Sequence, residues 1–245
     1  MRTLRNLLPA LVLLAACNGD APQPATDATT NANSPAAQAS ERDAWQQPEV
    51  VIGLMGNIAH MTVADLFADD GYWTFKFIAA GANVIAVVND AEKAAALEER
   101  KKKMGLGDDR LKIRAVPMGD PGIANEEAQM AFIGHHFVGI SNKTDYLKRM
   151  RAGLKYPRYL AMVEWQNRQT AMGPPMSERL PADRIMDLIG EHSEYSDVGA
   201  HSDKVPDQVV FLINDYMNPG DGGAQSIDAT MMMEGGEETI EVINE

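Results

Sequence analysis

Short apolar runs alternate with segments of helical periodicity over most of the chain. Thr62–Leu66 reads as a short buried strand. Residues 72–80 follow as a helix, with Trp73, Phe77 and Ala80 at helical spacing, and Gly81 stops it. Asn83–Val88 is a nearly continuous apolar run, the pattern of a strand covered on both faces. Residues 91–104, rich in alanine and charge, read as a helix closed by Gly105. Further strands fall at 111–116, 130–133 and 159–163, with a helix at 143–154 between the last two. Pro181 suits the first residue of a helix running to about 191. Two final strands are expected at 195–200 and 208–214, and residues 43–55 form a helical or irregular lead-in. Such alternation predicts an α/β domain with a mostly parallel sheet, helices on both faces and right-handed crossovers. Ligands of such sheets bind at the carboxyl ends of the strands, where the turn at 67–71 lies.

The two ends of the chain are of another kind. Arg2 and Arg5 precede an apolar run over 7–16, which is too short to span a membrane and has the layout of an export signal. Leu14-Ala15-Ala16-Cys17 resembles the bacterial lipobox. That resemblance implies a signal peptide over 1–16, cleavage before Cys17 and lipid on Cys17. Asn18 in place of Asp implies an outer-membrane anchor facing the periplasm. An ordinary secretory signal is the alternative. Residues 17–42 hold Ala, Pro, Thr, Asn, Asp and Ser and almost no large apolar side chain, so they are expected to be a disordered tether. The folded domain then spans 43–217. The tail over 218–245 is expected to be acidic and mostly disordered, with a possible edge strand at 239–243.

Composition narrows the partners. A formal charge of −13 argues against nucleic acid. Removing residues 1–16 would take away Arg2 and Arg5 and make that charge more negative by two. Cys17 is the only cysteine, which excludes an intramolecular disulfide and a cysteine-rich metal site.

Two motifs carry a family resemblance. Val63-Ala64-Asp65 is followed, at fixed spacing, by Gly71-Tyr72-Trp73-Thr74. Far downstream stands Met172-Gly173-Pro174-Pro175-Met176-Ser177-Glu178-Arg179-Leu180-Pro181. Asp145-Tyr146-Leu147 and Met162-Val163-Glu164-Trp165 fit the helix and strand before it. Together these resemble class I S-adenosylmethionine-dependent methyltransferases, and within them an exported bacterial subgroup. The likeness covers about residues 50–215. It implies a seven-stranded, mostly parallel Rossmann-like sheet, S-adenosylmethionine as cofactor and methyl transfer to a small-molecule acceptor. The donor residues it implies are Asp65, Gly71, Asp90 and Asp120. The Met-Gly-Pro-Pro segment is then expected to close the site mouth.

The chain departs from that pattern at the donor loop. Phe67 and Asp69 stand where the first two glycines belong, and Gly71 alone remains. The acid expected for the ribose falls on Val88, with Asp90 two residues later. Tyr156-Pro157-Arg158 replaces a Gly-Gly pair. The expectation is a degraded donor site, partly filled by Phe67. The alternative function is a non-catalytic binding or envelope-interaction protein on the same fold.

Other clusters yield less. Gapless alignment through Tyr146 places the subgroup's His-His pair on Val138-Gly139, so no role comes to His135 and His136. Adjacent histidines on a strand face opposite ways and do not easily share a metal. Asp65, Asp69 and Asp70 lack a metal-loop pattern, and Asp65 is expected to fix the turn. Met231-Met232-Met233 reads as an apolar spot, and Lys101-Lys102-Lys103 as the solvated face of a helix.

Overall fold

A computed structural model describes residues 35–215. The expected signal peptide, Cys17, most of the tether, the tail over 218–245 and its possible edge strand lie outside these residues.

In chain order the elements are α1 (Pro35–Gln46), α2 (Pro48–Leu54), β1 (Thr62–Leu66), α3 (Tyr72–Ala79), β2 (Asn83–Val88), α4 (Ala91–Lys103), β3 (Leu111–Ala115) and β4 (Ala128–Gly134). They continue with α5 (Lys143–Ala152), β5 (Leu154–Trp165), a short 3-10 turn (Met176–Glu178), α6 (Ala182–His192), β6 (Asp197–His201) and β7 (Gln208–Asn214). The strands form one seven-stranded sheet in the order β3-β2-β1-β4-β5-β7-β6. Only β7 runs against its neighbours; the pairings from β3 to β5 are all parallel. The order reverses between β1 and β4, which opens a crevice at their carboxyl ends.

The apolar run of β2 shows why the sheet is covered twice. Val84, Ala86 and Val88 join the core on one face, with Phe77 and Phe132. Ile85 and Val87 join the core on the other, with Phe211 and Tyr146. Fully burying a side chain such as Phe77 or Phe132 contributes about 1.5–3 kcal/mol.

Four expectations need correction. The helix α1 begins at Pro35, inside the stretch expected to be tether, and Arg42 on it forms an ion pair with Asp70 at 2.6 Å. The helix at 143–154 stops at Ala152, because Leu154 already belongs to β5. That strand runs through Tyr156-Pro157-Arg158, and its register with β4 shifts between Ala128 and Met130. Lys101 is buried and pairs with Asp108, so the lysine run is not wholly a solvated face.

Candidate functional site

The turn between β1 and α3 keeps a glycine-loop backbone with only one of its three glycines. Phe67, Asp69 and Gly71 have φ of 63°, 49° and 79°. These alternate positions are the ones where the motif calls for glycine. For a side-chain-bearing residue that conformation costs roughly 1–2 kcal/mol. The turn is held by Ala68 N donating to Val87 O at 2.8 Å and Gly71 N donating to Ala68 O at 2.7 Å. Gly71 itself faces the neighbouring helices. A Cβ there would lie 2.4 Å from Leu97 Cδ2 and 2.9 Å from Phe75 Cε2. It is a packing glycine and lines none of the cavities described below.

The side chains of Phe67 and Asp69 stack on and pair with the residues that follow β4. The Phe67 ring stacks on His136 at 4.9 Å and on Tyr146 at 5.7 Å. His136 Nε2 lies 2.8 Å from Asp69 Oδ2, and Lys93 Nζ donates to Asp69 Oδ1 at 2.6 Å. The His136 bond first, and Lys93 with it, hold the Asp69 carboxyl down to about 2. Phe67, Asp69 and His136 border two cavities at once. On one side is a groove of about 450 Å³ beyond β2, β3 and β4, with Asn89, Asp90, Met118 and Gly119 in its lining. On the other is a chamber of about 260 Å³, with Trp45, Gln46, Asp65, Tyr72, Trp73 and Trp165.

On the groove side, Val88 ends β2 without a carboxylate. Asp90 does line the groove, but its Oδ1 caps α4, accepting from Glu92 N at 2.7 Å and Lys93 N at 3.1 Å. Asp120 does not line it. Its Oδ1 accepts from Gly122 N at 2.8 Å and sits 3.4 Å from Arg149 Nη1, while the adjacent Gly119 reaches the groove instead. That carboxylate is engaged within its own turn and with Arg149.

On the chamber side, Asp65 is buried and accepts from Thr74 Oγ1 at 2.5 Å. It ties the end of β1 to the first turn of α3 through the Thr74 hydroxyl. Burial pushes its carboxyl up to about 7, against the pull of the Thr74 bond. Asp70 instead reaches Arg42, and Asp69 reaches His136 and Lys93, so the three aspartates do not converge. His135 takes a different partner from His136 and meets Gln208 Oε1 at 3.0 Å. Its ring stacks on Trp165 at 4.8 Å, and Trp45 stacks on the same indole at 5.3 Å. Although part of its surface stays accessible, dense packing pushes the imidazole down to about 4.

The sequence reading missed His136, Trp45, Trp165 and Gln208. For His136 a signal existed: counting from the end of β4 puts the pair directly after Gly134, with the extra residues falling in the loop before α5. Trp45 and Gln208 are far apart in sequence and meet only in the fold, where Gln208 Nε2 donates to Trp45 O at 2.6 Å.

The downstream motif closes a third cavity of about 580 Å³, lined by His135, Glu164, Trp165 and Arg179 among others. Arg179 is buried and gathers the loop before it. It donates to the carbonyls of Gln166, Arg168, Met172 and Pro174 at 2.8–3.1 Å and to Thr170 Oγ1 at 2.8 Å. Gly173, at φ 97°, lies flat on the Trp165 indole, where a Cβ would come within 2.6 Å. Glu164 is buried beneath this loop and accepts from Phe137 N at 2.8 Å, and burial pushes it up to about 7.

The fold has counterparts among solved structures. A SAM-dependent methyltransferase from Aquifex aeolicus superposes with a TM-score of 0.64 at 18% identity, over 72% of this chain and 93% of that one. The chain has the class I methyltransferase fold. A geranyl diphosphate C-methyltransferase from Streptomyces coelicolor, solved with S-adenosyl-L-homocysteine, matches at a TM-score of 0.54 and 14% identity, over 70% and 79% of the two chains. The cyclase SpnF matches at 0.56 and 12%, over 76% and 84%. No family model matches the chain, and no curated protein matches it. At these identities the methyltransferase fold is shared while the site is this chain's own, and a cyclase carries the same fold.

Proposed function

We propose that the chain is an exported lipoprotein with a methyltransferase-like fold whose donor cleft is divided and does not hold S-adenosylmethionine in an extended pose. The reading rests above all on the wall made by Phe67, Asp69 and His136 between groove and chamber. An adenosyl donor laid along the fold would put its ribose beside Val88 and its methionine beyond Phe67. The residues present do not fit it. Val88 offers no acceptor to the ribose hydroxyls, and Asp90 Oδ1 is already used in capping. The Phe67 ring is held in place by two stacking partners. An unaccepted buried hydroxyl costs about 1–3 kcal/mol, and displacing a packed ring costs a similar amount. Together they remove roughly two to four powers of ten in affinity.

One observation favours a second reading, methyl transfer to a small acceptor. The turn keeps the positive φ of a glycine loop, and the groove beyond it stays open and reaches Asp90. Calorimetric titration with S-adenosylmethionine and S-adenosyl-L-homocysteine separates the two. Tight binding of either by the unaltered chain overturns the divided-cleft reading; absence of heat up to about millimolar ligand supports it.

The location rests on residues 1–17. Export through the signal at 1–16 and lipid on Cys17 would hold the domain at the outer membrane, facing the periplasm. Cys17→Ser is expected to abolish incorporation of labelled fatty acid and to release the protein into the soluble fraction. Unchanged membrane retention would contradict the anchor.

A further inference from the structure

We propose that the aromatic chamber beside β1 binds a compact organic cation of the quaternary-ammonium kind. Three independent features of the chamber point to such a group. First, it is lined by aromatic rings, those of Trp45, Tyr72, Trp73 and Trp165. Aromatic faces attract a cation through the ring quadrupole, most strongly where water is excluded. The rim already does this with a cation of the chain itself, since Arg42 Cζ sits 4.0 Å from the Tyr72 ring centre.

Second, the chamber holds a buried acid without a cation. Asp65 is 2% exposed and bonds the Thr74 hydroxyl, and it makes no ion pair among the described residues. The other nearby acids are matched, Asp70 by Arg42 and Asp69 by Lys93. A buried carboxylate with no counter-charge is the group that gains most from an incoming cation. Third, Gln46 lines the chamber, is 2% exposed, and its Oε1 accepts no hydrogen bond. An orphaned buried acceptor of this kind calls for a donor or a positive group.

Size and separation select the ligand class. At about 260 Å³ and walled from the groove by Phe67, the chamber suits a trimethylammonium head with a short polar arm. The inference stands apart from the divided-cleft reading. A chain that binds both S-adenosylmethionine and choline would overturn that reading and leave this one in place.

All three tryptophans of the chain line the chamber, so their emission reports its occupancy directly. Choline chloride is titrated into the full chain, with dimethylbutanol as its neutral isostere and sodium chloride at matched ionic strength. The expected result is a saturable change with choline at a concentration about tenfold below that of the isostere, and none with the salt. Asp65→Asn and Gln46→Leu, each checked for folding by circular dichroism, are expected to weaken choline binding severalfold. Equal response to choline and its isostere would assign the chamber to neutral apolar ligands and overturn the proposal. So would no saturable response to either.

Discussion

Phe67 has φ of 63° and carries its ring between His136 and Tyr146. Its strain is offset locally, since aromatic stacking contributes about 0.5–1.5 kcal/mol per pair. Phe67→Gly removes both the strain and the ring, so stability is expected to change by no more than about 1 kcal/mol in urea unfolding. A much larger loss would mean that the ring is a core residue first. Asp65 makes a second residue-scale prediction. Its folded carboxyl is raised from an ordinary 3.8 to about 7, so its neutral form favours the fold. That stability is present below about pH 4 and is lost as pH rises through about 7. Glu164, also raised to about 7, works in the same sense, while Asp69, held to about 2, works in the opposite one. Asp65→Asn keeps an oxygen for Thr74 and removes one titration. Its unfolding free energy is expected to fall less than that of the unaltered chain between about pH 5 and pH 8. Parallel pH profiles would show that Asp65 titrates elsewhere.

Among the elements, those with strong periodicity were legible. Thr62–Leu66, Asn83–Val88 and Gln208–Asn214 were each read to the residue, because a doubly covered strand leaves a run of apolar residues with few alternatives. The start of α1 was not, since its first residues are of the same small and polar kind as those before them in the sequence. Likewise Leu154 was read as the end of α5 when it begins β5, a boundary set by pairing with Ala128. The Met-Gly-Pro-Pro motif was recognised as a loop, but its mechanism lay out of reach. Nothing in the local sequence says that Arg179 reaches back to four carbonyls, or that Gly173 lies against an indole. Arg179→Ala leaves those carbonyls short of donors. It is expected to cost about 2 kcal/mol or more and to expose residues 166–178 to limited proteolysis. Gly173→Ala is expected to destabilise by about 1–3 kcal/mol through contact with Trp165. An unchanged melting temperature in both variants would show that the loop does not depend on these contacts.

At the scale of the molecule, the sequence disclosed a fold and a missing glycine pair, and Phe67 and Asp69 in those places border both the groove and the chamber. Of the four expected donor residues, Asp90 lines the groove, Asp65 lines the chamber, and Gly71 and Asp120 belong to packing and turn geometry. Spacing alone could not separate these roles, because a carboxylate that binds ligand and one that caps a turn occupy the same loops. The wall itself joins residues from the β1 turn and the end of β4, neighbours only because the sheet order reverses there. Its consequence is tested most directly by calorimetric titration of S-adenosyl-L-homocysteine into the unaltered chain and into Phe67→Gly. The divided cleft predicts no measurable heat from the first and at least about tenfold tighter binding by the second. Low-micromolar binding by the unaltered chain, left unchanged by Phe67→Gly, would contradict it.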